Sequence, residues 1–342
     1  MTPAELSRAV MTTVRRAVAA DELRVDVPER IVVQRPPRPG CGDYATNVAL
    51  QLAKAAGRTP QEVARILGRR LAEEPGIAQV EIAEPGFLNI TLDARAYGDV
   101  VRQVRAQRER YGYGDGLADE PLTATADPGD PRGLLVAEVV NRLARAAGAP
   151  PAATPVTLAP AAPAAHTPPA VLGPDEIRWA LLRPPAEDPP RLTADLLVQR
   201  ETNPLFRVRY AHARTRALLR NARDLGVDPD PVPDPLRPAG PPPCTADGAT
   251  HHPAETDLLG LIADFPRVIE TAARRRAPDR VARHMERLAD AFLRFHDECR
   301  PLPKGDEKPS PVHAARIRLT DATGIVLADG LRLLGITAPD HL

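Results

Sequence analysis

The chain has 342 residues, which is room for two or three domains with their own hydrophobic cores. Its 45 Lys+Arg are matched by 45 Asp+Glu, so the overall charge predicts no class of partner, and any basic surface must be local. Three widely spaced cysteines, Cys41, Cys244 and Cys299, form no CxxC pair, which argues against a zinc site and fits a reducing cytosol. There is no signal-peptide core and no run of roughly eighteen apolar residues, so we expect a soluble, cytoplasmic protein.

Residues 1–115 show the mixed pattern of a small α+β domain. Apolar residues at helical spacing behind Thr2 predict a first helix over 3–22. Thr59, Pro60 and Glu62 form a capping box with proline at the first helical position, which predicts a second helix start. The other predicted elements are a strand over 30–36, a helix over 45–57 that ends at Gly57, two strands around a Glu-Pro-Gly turn within 77–92, and a helix to about residue 110.

The middle of the chain predicts a strand, a helix and then a linker. TATAD (123–127) is typical of a strand, and LLVAEVVNRLARAAG (134–148) predicts a helix that ends at Gly148. Residues 149–170 are low-complexity Ala and Pro with little to bury, so we expect a flexible, partly extended linker there.

The pattern from Gly173 to Leu342 is helical apart from a Pro-rich stretch over 227–253 and a charged loop over 301–311. The predicted fold is therefore multidomain. It has an α+β domain over 1–115, a middle segment over 116–172, and an all-α helical bundle over 173–342.

One basic helix stands out, because residues 206–223 read FRVRYAHARTRALLRNAR, with six arginines and no acid. At 100° per residue, one side carries a predicted core stripe of Val208, Ala211, Thr215, Leu218, Ala222 and Leu225. The far side carries, within an arc of roughly 60°, Arg209, Arg216, Arg220 and Arg223. His212 borders this arc, and Tyr210 is expected to point toward a neighbouring element. Such a face predicts a polyanionic partner, and a merely solvated face is the competing interpretation.

A second helical stretch, residues 265–300, has nine arginines and six acids. We expect Phe292 and Phe295 to lie in the core, whereas His296 is a candidate for stacking on bases. The chain contains no GxxxxGK[ST], GxSxG or HExxH motif and no GxGxxG after a strand, so the sequence predicts no catalytic constellation, no cofactor and no metal.

Several of these segments, in order, resemble arginyl-tRNA synthetases. RPGCGDYATNVALQLAKAAGRTPQEVA (38–64) and EPGFLNITL (84–92) are similar to the family's N-terminal additional domain. NPLFRVRYAHAR (203–214), residues 258–302 and VLADGLRLLGITAPDHL (326–342) are similar to its helical, DALR-type anticodon-binding domain. The resemblance covers 1 to about 115 and 173–342, and it implies tRNA binding.

The middle segment departs from that family. Residues 123–148 are similar to the first catalytic strand, signature loop and helix, but the loop reads Pro128-Gly129-Asp130-Pro131-Arg132 and both signature histidines are missing. About two dozen residues then separate Gly148 from a helix at 172–183, which is too few for the missing sheet because one βαβ unit takes roughly 30. The resemblance therefore implies a chain without a catalytic core, unable to aminoacylate.

The resemblance also names candidate tRNA-binding residues. In the family, residues around the Gly-Asp-Tyr-Ala-x-Asn entry hold the D-loop, and Tyr210 occupies the position of a tyrosine at the anticodon-loop surface. Arg209 stands in place of the family's glutamine, and His296 in place of a tyrosine. The D-loop candidates are Tyr44, Asn47 and Gln51, and the anticodon-arm candidates are Arg209, Tyr210, Arg214, Arg216, Arg220, His296 and Arg300. Tyr44 and Tyr210 could instead lie in a core, and Asn47 could instead cap its helix.

The expected partner is tRNA, with arginine tRNA as the first candidate, bound by a monomer with no membrane attachment. The main competing hypothesis is a protein-interaction or regulatory partner of the full synthetase or of a tRNA-modifying enzyme. Exposed apolar area around Trp179, Leu181 and Leu182 would favour that role. Two further hypotheses are an unrecognised enzyme that acts on tRNA and a decaying pseudo-enzyme.

Overall fold

A computed structural model describes residues 1–28, 31–36, 41–164, 169–230 and 252–342. The chain divides into two compact units, Met1–Val100 and Val101–Leu342. The boundary falls inside helix α4 (Ala94–Gln107), so the predicted middle segment lies within the second unit. Among the described helices, none has the length and apolar character needed to cross a membrane.

The first unit is an α+β fold around a four-stranded antiparallel sheet. Its strands β1 (Val33–Gln34), β2 (Tyr44–Thr46), β3 (Ile77–Ala83) and β4 (Phe87–Leu92) lie in the order β1-β2-β4-β3. Its helices before α4 are α1 (Pro3–Ala19), α2 (Val48–Ala56) and α3 (Pro60–Leu71). Both predicted caps are confirmed, since Thr2 forms a capping box with Glu5 and Thr59 forms one with Glu62.

One predicted boundary in this unit shifts, and another is confirmed. The helix expected from residue 45 begins at Val48, because Tyr44–Thr46 pair with β4 as a strand. The expected turn between the last two strands is confirmed at Glu84-Pro85-Gly86. Gly86 has φ +148°, and a Cβ there would lie 2.7 Å from Cβ of Pro60, so the close approach of this turn to α3 requires glycine.

The second unit contains one small βαβ unit. Strands β5 (Ala124–Thr125) and β6 (Val156–Thr157) are parallel and are connected through helix α5 (Pro131–Ala146). Parallel strands need a crossover, and a helix is the usual one. The predicted strand and helix of the middle segment are therefore both present, with the helix beginning three residues early.

The Ala/Pro-rich segment is docked against this βαβ unit. The amide of Leu122 donates to the carbonyl of Pro150 at 2.9 Å, that of Val156 to Thr123 at 2.8 Å, and that of Leu158 to Thr125 at 2.7 Å. The prediction of a flexible linker is therefore wrong for residues 149–164, because backbone hydrogen bonds hold them. Residues 165–168 of the predicted linker lie outside the described residues.

The rest of the second unit is a helical bundle, as predicted. Its helices are α6 (Pro174–Leu182), α7 (Pro204–Asp224), α8 (Pro253–Arg274), α9 (Asp279–Glu298) and α10 (Pro311–Leu334), with a 3-10 turn at Ala194–Leu197. Phe292 and Phe295 are fully buried, which confirms their core position. Most of the Pro-rich stretch, residues 231–251 with Cys244, lies outside the described residues.

Candidate nucleic-acid interface

Helix α7 carries most of the predicted interface, and its start is fixed by local chemistry. Asn203 is the N-cap, and its side-chain oxygen accepts from the amides of Leu205 and Phe206 at 3.1 and 3.3 Å. Pro204 occupies the first helical position, where its missing N–H costs nothing. The predicted core stripe is buried except Leu225, which lies at the C-cap with 48% of its surface exposed.

The guanidinium of Arg209 is held by ion pairs within the protein. Its Nη1 donates to Oε1 of Glu176 at 2.8 Å, its Nη2 donates to Asp175, and its side chain is 17% exposed. Asp175 and Glu176 lie in the first turn of α6, so this arginine joins α7 to α6. The expectation that Arg209 contacts tRNA therefore lacks structural support, because two carboxylates already neutralise its charge.

The C-terminal tail, residues 336–342, runs along the rest of the predicted arginine arc. Arg216 Nε lies 3.2 Å from Asp340 Oδ1, and Arg220 Nη2 lies 3.4 Å from His341 Nδ1. His212 Nδ1 lies 2.9 Å from the carbonyl oxygen of Pro339, and burial lowers the pKa of this imidazole. Arg216 and Arg220 thus remain partly accessible, and of the two only Arg216 meets a carboxylate of the tail.

Tyr210 is exposed and stacked on a neighbour in its own helix. Its ring lies 5.7 Å from that of Phe206 at an interplanar angle of 22°, and 40% of its surface is exposed. The expectation that it points toward a neighbouring element is wrong, and a core position is excluded as well. Phe206 was missed as a site residue, although its spacing of four residues from Tyr210 places the two rings together on a helix.

Arg214 of α7 and His296 of α9 are both half-buried and contact each other. Arg214 Nη2 lies 3.2 Å from Nε2 of His296, which projects from the end of α9. Arg214 and Tyr210 are four residues apart and therefore share one face of α7. We define the α7–α9 surface as Phe206, Tyr210, Arg214 and His296. Arg300 lies just beyond α9 and is exposed, with its carbonyl accepting from Arg316 at 3.1 Å.

The three D-loop candidates of the first unit separate into a buried and an exposed part. Tyr44 is 1% exposed and lies in the core, so its ring is not available to a nucleic acid. Asn47 makes no side-chain cap bond at the start of α2, and its Oδ1 instead accepts from Gln51 Nε2 at 3.1 Å. Asn47 and Gln51 therefore present paired amides at the surface.

The loop that resembles a catalytic signature holds a carboxylate at the start of α5. Asp130 accepts from the amide of Gly133 through one oxygen and from the amide of Ala161 through the other, both at 2.8 Å. A carboxylate on the positive end of a helix is stable, and it occupies the position where a phosphate could otherwise sit. The described residues form no cluster of three or more His, Cys, Asp or Glu that could hold a metal ion.

The apolar residues whose exposure would favour a protein-interaction role are covered. Trp179 and Leu182 are each 1% exposed, and Leu181 is half-buried. Helix α6 packs these side chains inside the second unit. These three residues therefore form no exposed apolar area on which a protein partner could dock.

Two protein-family models match the chain. The arginyl tRNA synthetase N terminal domain matches residues 5–92, and the DALR anticodon binding domain matches residues 208–342. The first match corresponds to the antiparallel α+β unit, and the second begins inside α7 and runs through α10.

An arginine–tRNA ligase of Frankia alni is 29% identical to the chain in an alignment over 564 residues that covers 100% of both. Because this chain has 342 residues, more than a third of the alignment positions hold no residue of it. Among solved structures, Thermus thermophilus arginyl-tRNA synthetase matches with a TM-score of 0.59 and 15% identity over 100% of both chains. Arginyl-tRNA synthetase from Plasmodium falciparum matches with a TM-score of 0.64 and 8% identity over 99% of both. At these identities the structural matches show a shared fold.

Proposed function

We propose that this chain, which belongs to the arginyl-tRNA synthetase family by its N-terminal and DALR anticodon-binding domains, is a non-catalytic tRNA-binding protein. Its DALR domain would hold the anticodon arm, and its N-terminal domain would hold the D-loop. Arginine tRNA is the first candidate ligand.

The observation that carries the proposal is the α7–α9 surface. Bases of an anticodon loop are unstacked, and proteins bind such bases by stacking them on aromatic rings beside cationic side chains. Tyr210 offers an exposed ring that stacks on Phe206, and Arg214, four residues later on α7, contacts His296 of α9. This arrangement fits an RNA loop better than a protein partner, since the apolar area near Trp179 is buried.

The absence of catalysis is inferred from three features. The alignment with a ligase leaves more than a third of its positions empty in this chain. Within the described residues, parallel strand pairing is confined to β5 and β6. Asp130 also places a negative charge at the start of α5, which would repel the phosphates of an adenylate. Together these features support loss of the nucleotide-binding site.

The D-loop contact is proposed for Asn47 and Gln51. Their paired amides supply donors and acceptors at the surface, which suit the edges of bases and ribose hydroxyls. Tyr44 is left out because its ring lies in the core. Arg209 is left out because its guanidinium is held by α6.

The test is equilibrium binding of the full chain to arginine tRNA and to an unrelated tRNA over a salt series. Binding should weaken steeply with salt, because phosphate contacts release counterions. Tyr210→Ala should weaken tRNA binding by about 1 to 3 kcal/mol, the typical contribution of one stacked base. Tyr210→Phe keeps the ring and serves as the matched control, with affinity close to that of the unchanged protein.

Two outcomes would contradict the proposal. A chain that binds neither tRNA at low salt, where electrostatic attraction is strongest, is not a tRNA-binding protein. Equal affinities of the Tyr210→Ala and Tyr210→Phe variants would remove the α7–α9 surface from the interface. The ratio of affinities for the two tRNAs reports how far the chain selects arginine tRNA.

A further inference from the structure

A group of exposed arginines lies where α8 ends and α9 begins, away from the α7–α9 surface. Arg275 and Arg276 occupy the turn, and Arg280, Arg283 and Arg287 follow on α9. Arg283 is 52% exposed and pairs with Asp279 at 3.0 Å. In the part of the chain that the structure describes, Arg275, Arg276, Arg280 and Arg287 have no ion pair. We name Arg276, Arg280, Arg283 and Arg287 the arginine ridge.

Helical geometry aligns the ridge. Arg280, Arg283 and Arg287 are spaced by three and four residues and fall within an arc of roughly 60° at 100° per residue. The distance from Arg280 to Arg287 along the helix is about 10 Å at 1.5 Å per residue. The cations therefore form a short, straight row on a rigid element.

The carboxylates next to the ridge are neutralised by other helices. Oε1 of Glu286 lies 2.7 Å from Arg183 Nε, at the end of α6. Oδ1 of Asp290 lies 3.4 Å from Arg207 Nε, on α7. Because Glu286 and Asp290 are paired with other helices, Asp279 is the carboxylate that this part of α9 leaves to the ridge. Burial raises the pKa of the Asp279 carboxyl against the charges of Arg283 and Arg280, and Glu187 adds a smaller effect in the same direction as burial.

Within the described part of the bundle, three ridge arginines have no ion pair, against two arginines of the predicted arc, Arg220 and Arg223. On α7, Arg209 is held by α6, and Arg216 and Arg220 contact the tail. In the ridge, Arg283 is held by Asp279, and the described residues give Arg276, Arg280 and Arg287 no ion pair. The sequence favours α7 because α9 contains five acids and four arginines, but the sequence does not show which of those acids are paired with other helices.

The side chains around the ridge indicate the chemistry of its partner. His284 and Met285, which lie between the ridge arginines, are fully buried, as is Val281. The ridge therefore offers no ring on which a base could stack and no apolar side chain that could enter a lipid surface. What remains is a row of guanidinium groups, which bind phosphate oxygens with favourable geometry.

We propose that the arginine ridge is a second nucleic-acid contact that binds the phosphodiester backbone of double-helical RNA, independently of sequence. It rests on the proposed function, in which the same chain binds the loop of a tRNA through the α7–α9 surface. In that arrangement the ridge holds a stem by its backbone, and the aromatic surface binds unpaired bases. Phosphate contacts of this kind position a nucleic acid without reading its sequence.

The experiment compares two charge-matched variants of the full chain. Arg276→Gln/Arg280→Gln/Arg287→Gln removes three ridge charges and leaves Arg283 on Asp279. The control, Arg108→Gln/Arg110→Gln/Arg145→Gln, removes three exposed arginines elsewhere in the same unit. Binding to tRNA and to a fully paired RNA duplex without loops is measured over a salt series. Capture on phosphatidylserine vesicles is measured in parallel.

The ridge variant should lose duplex binding and should lower the slope of log affinity against log salt by about 2 to 3, since each phosphate contact contributes about 0.9. The control should keep duplex binding and change that slope by less than about 1. Tyr210→Ala should weaken binding to tRNA and leave binding to the duplex unchanged.

The outcomes separate this inference from the proposed function. If the unchanged chain binds tRNA but the ridge variant behaves like the control, the inference about the ridge is overturned and the proposed function stands. If the unchanged chain binds neither RNA, both are overturned. Vesicle capture that only the ridge variant loses, without an effect on duplex binding, would assign the ridge to an anionic membrane surface instead.

Discussion

Arg132 shows what a single residue can contribute when it is buried. It lies in the first turn of α5 and is 4% exposed. Its guanidinium donates to six backbone carbonyls, those of Ala162, Leu181, Pro184, Pro185, Ala186 and Asp188. Burial lowers the pKa of this arginine, and the six carbonyl oxygens compensate for the lost hydration. One side chain thereby ties the docked segment to the residues after α6.

Replacing Arg132 should unfold this part of the molecule. Arg132→Met leaves the carbonyl groups without donors, and we expect a loss of about 3 to 5 kcal/mol in the free energy of unfolding. Arg132→Lys should restore little, because an ammonium has three donors and cannot reach six acceptors. Denaturant unfolding measures the loss, and elastase cleavage within 149–164 should increase.

Arg145→Met, an exposed change in the same helix, is the control and should shift stability by less than about 0.5 kcal/mol. A stable Arg132→Met variant with an uncut segment would show that the carbonyl cluster contributes little.

Two other buried residues make opposite contributions to the pH dependence of stability. Burial lowers the pKa of His284 to about 4, and its Nε2 contacts the carbonyl of Leu261 at 3.1 Å. Burial raises the pKa of Asp329 to about 6, against the effect of Arg332. The stabilising effect of the neutral His284 is lost as pH falls from its unfolded pKa toward 4. The stabilising effect of the protonated Asp329 is lost as pH rises toward 6, so the two effects oppose each other in between.

Asp329→Asn should make the effect of His284 on the pH dependence of stability visible. Between about pH 5 and pH 6 the unfolded state binds the His284 proton and the folded state does not, so stability should rise with pH by up to about 1.4 kcal/mol per unit. In the unchanged protein the Asp329 contribution should flatten that rise. Denaturant unfolding at several pH values provides the measurement, and identical pH profiles for the two proteins would contradict the assignment to Asp329.

At the scale of the element, α7 shows which features of a helix its sequence pattern can predict. The apolar positions predicted its core face, since burial follows the 3.6-residue period. The same geometry placed Arg209, Arg216 and Arg220 together, as observed, but it could not show that α6 and the tail reach them. Partners that are distant in sequence supply the ion pairs of Arg209 and Arg216 and the histidine contact of Arg220, so the free charge of a helix depends on residues outside that helix.

Arg209 is therefore predicted to matter for stability and little for tRNA binding. Arg209→Gln would leave the partly buried carboxylates of Asp175 and Glu176 unpaired, and we expect a loss of about 2 kcal/mol in the free energy of unfolding. The affinity for tRNA should change less than twofold where the variant is folded. Arg223→Gln, an exposed change near the end of the same helix, is the control and should leave stability unchanged. A large loss of tRNA affinity at unchanged stability would show that Arg209 contacts tRNA after all.

At the scale of the whole molecule, the chain matches two domain models, the arginyl tRNA synthetase N terminal domain and the DALR anticodon binding domain, with one small βαβ unit between them in the chain. We expect no arginine–tRNA product from this chain, and we expect it to compete with a full-length arginyl-tRNA synthetase for the shared tRNA. Increasing amounts of the chain should raise the apparent KM of the synthetase for tRNA at constant kcat, because the chain binds tRNA and lowers the concentration of free substrate. Initial aminoacylation rates measure this effect.

The Tyr210→Ala variant is the control for that assay and should inhibit less than the unchanged chain at equal concentration. A changed kcat with an unchanged KM would instead point to a direct contact with the synthetase. Charging by the chain alone would overturn the proposed loss of catalysis.

The sequence by itself determined the α+β and helical character of the two ends, the caps at Thr2 and Thr59, the buried phenylalanines and the family resemblance. These depend on local periodicity, capping chemistry and short motifs, which are legible over a few residues. Only the tertiary structure decided that residues 149–164 are docked, that Arg209 is held by α6, and that Tyr44 is buried and Tyr210 exposed. It also decided that Glu286 and Asp290 of α9 pair with other helices and leave the ridge with Asp279. Each of these depends on groups far apart in the chain, which meet only when the fold brings them together.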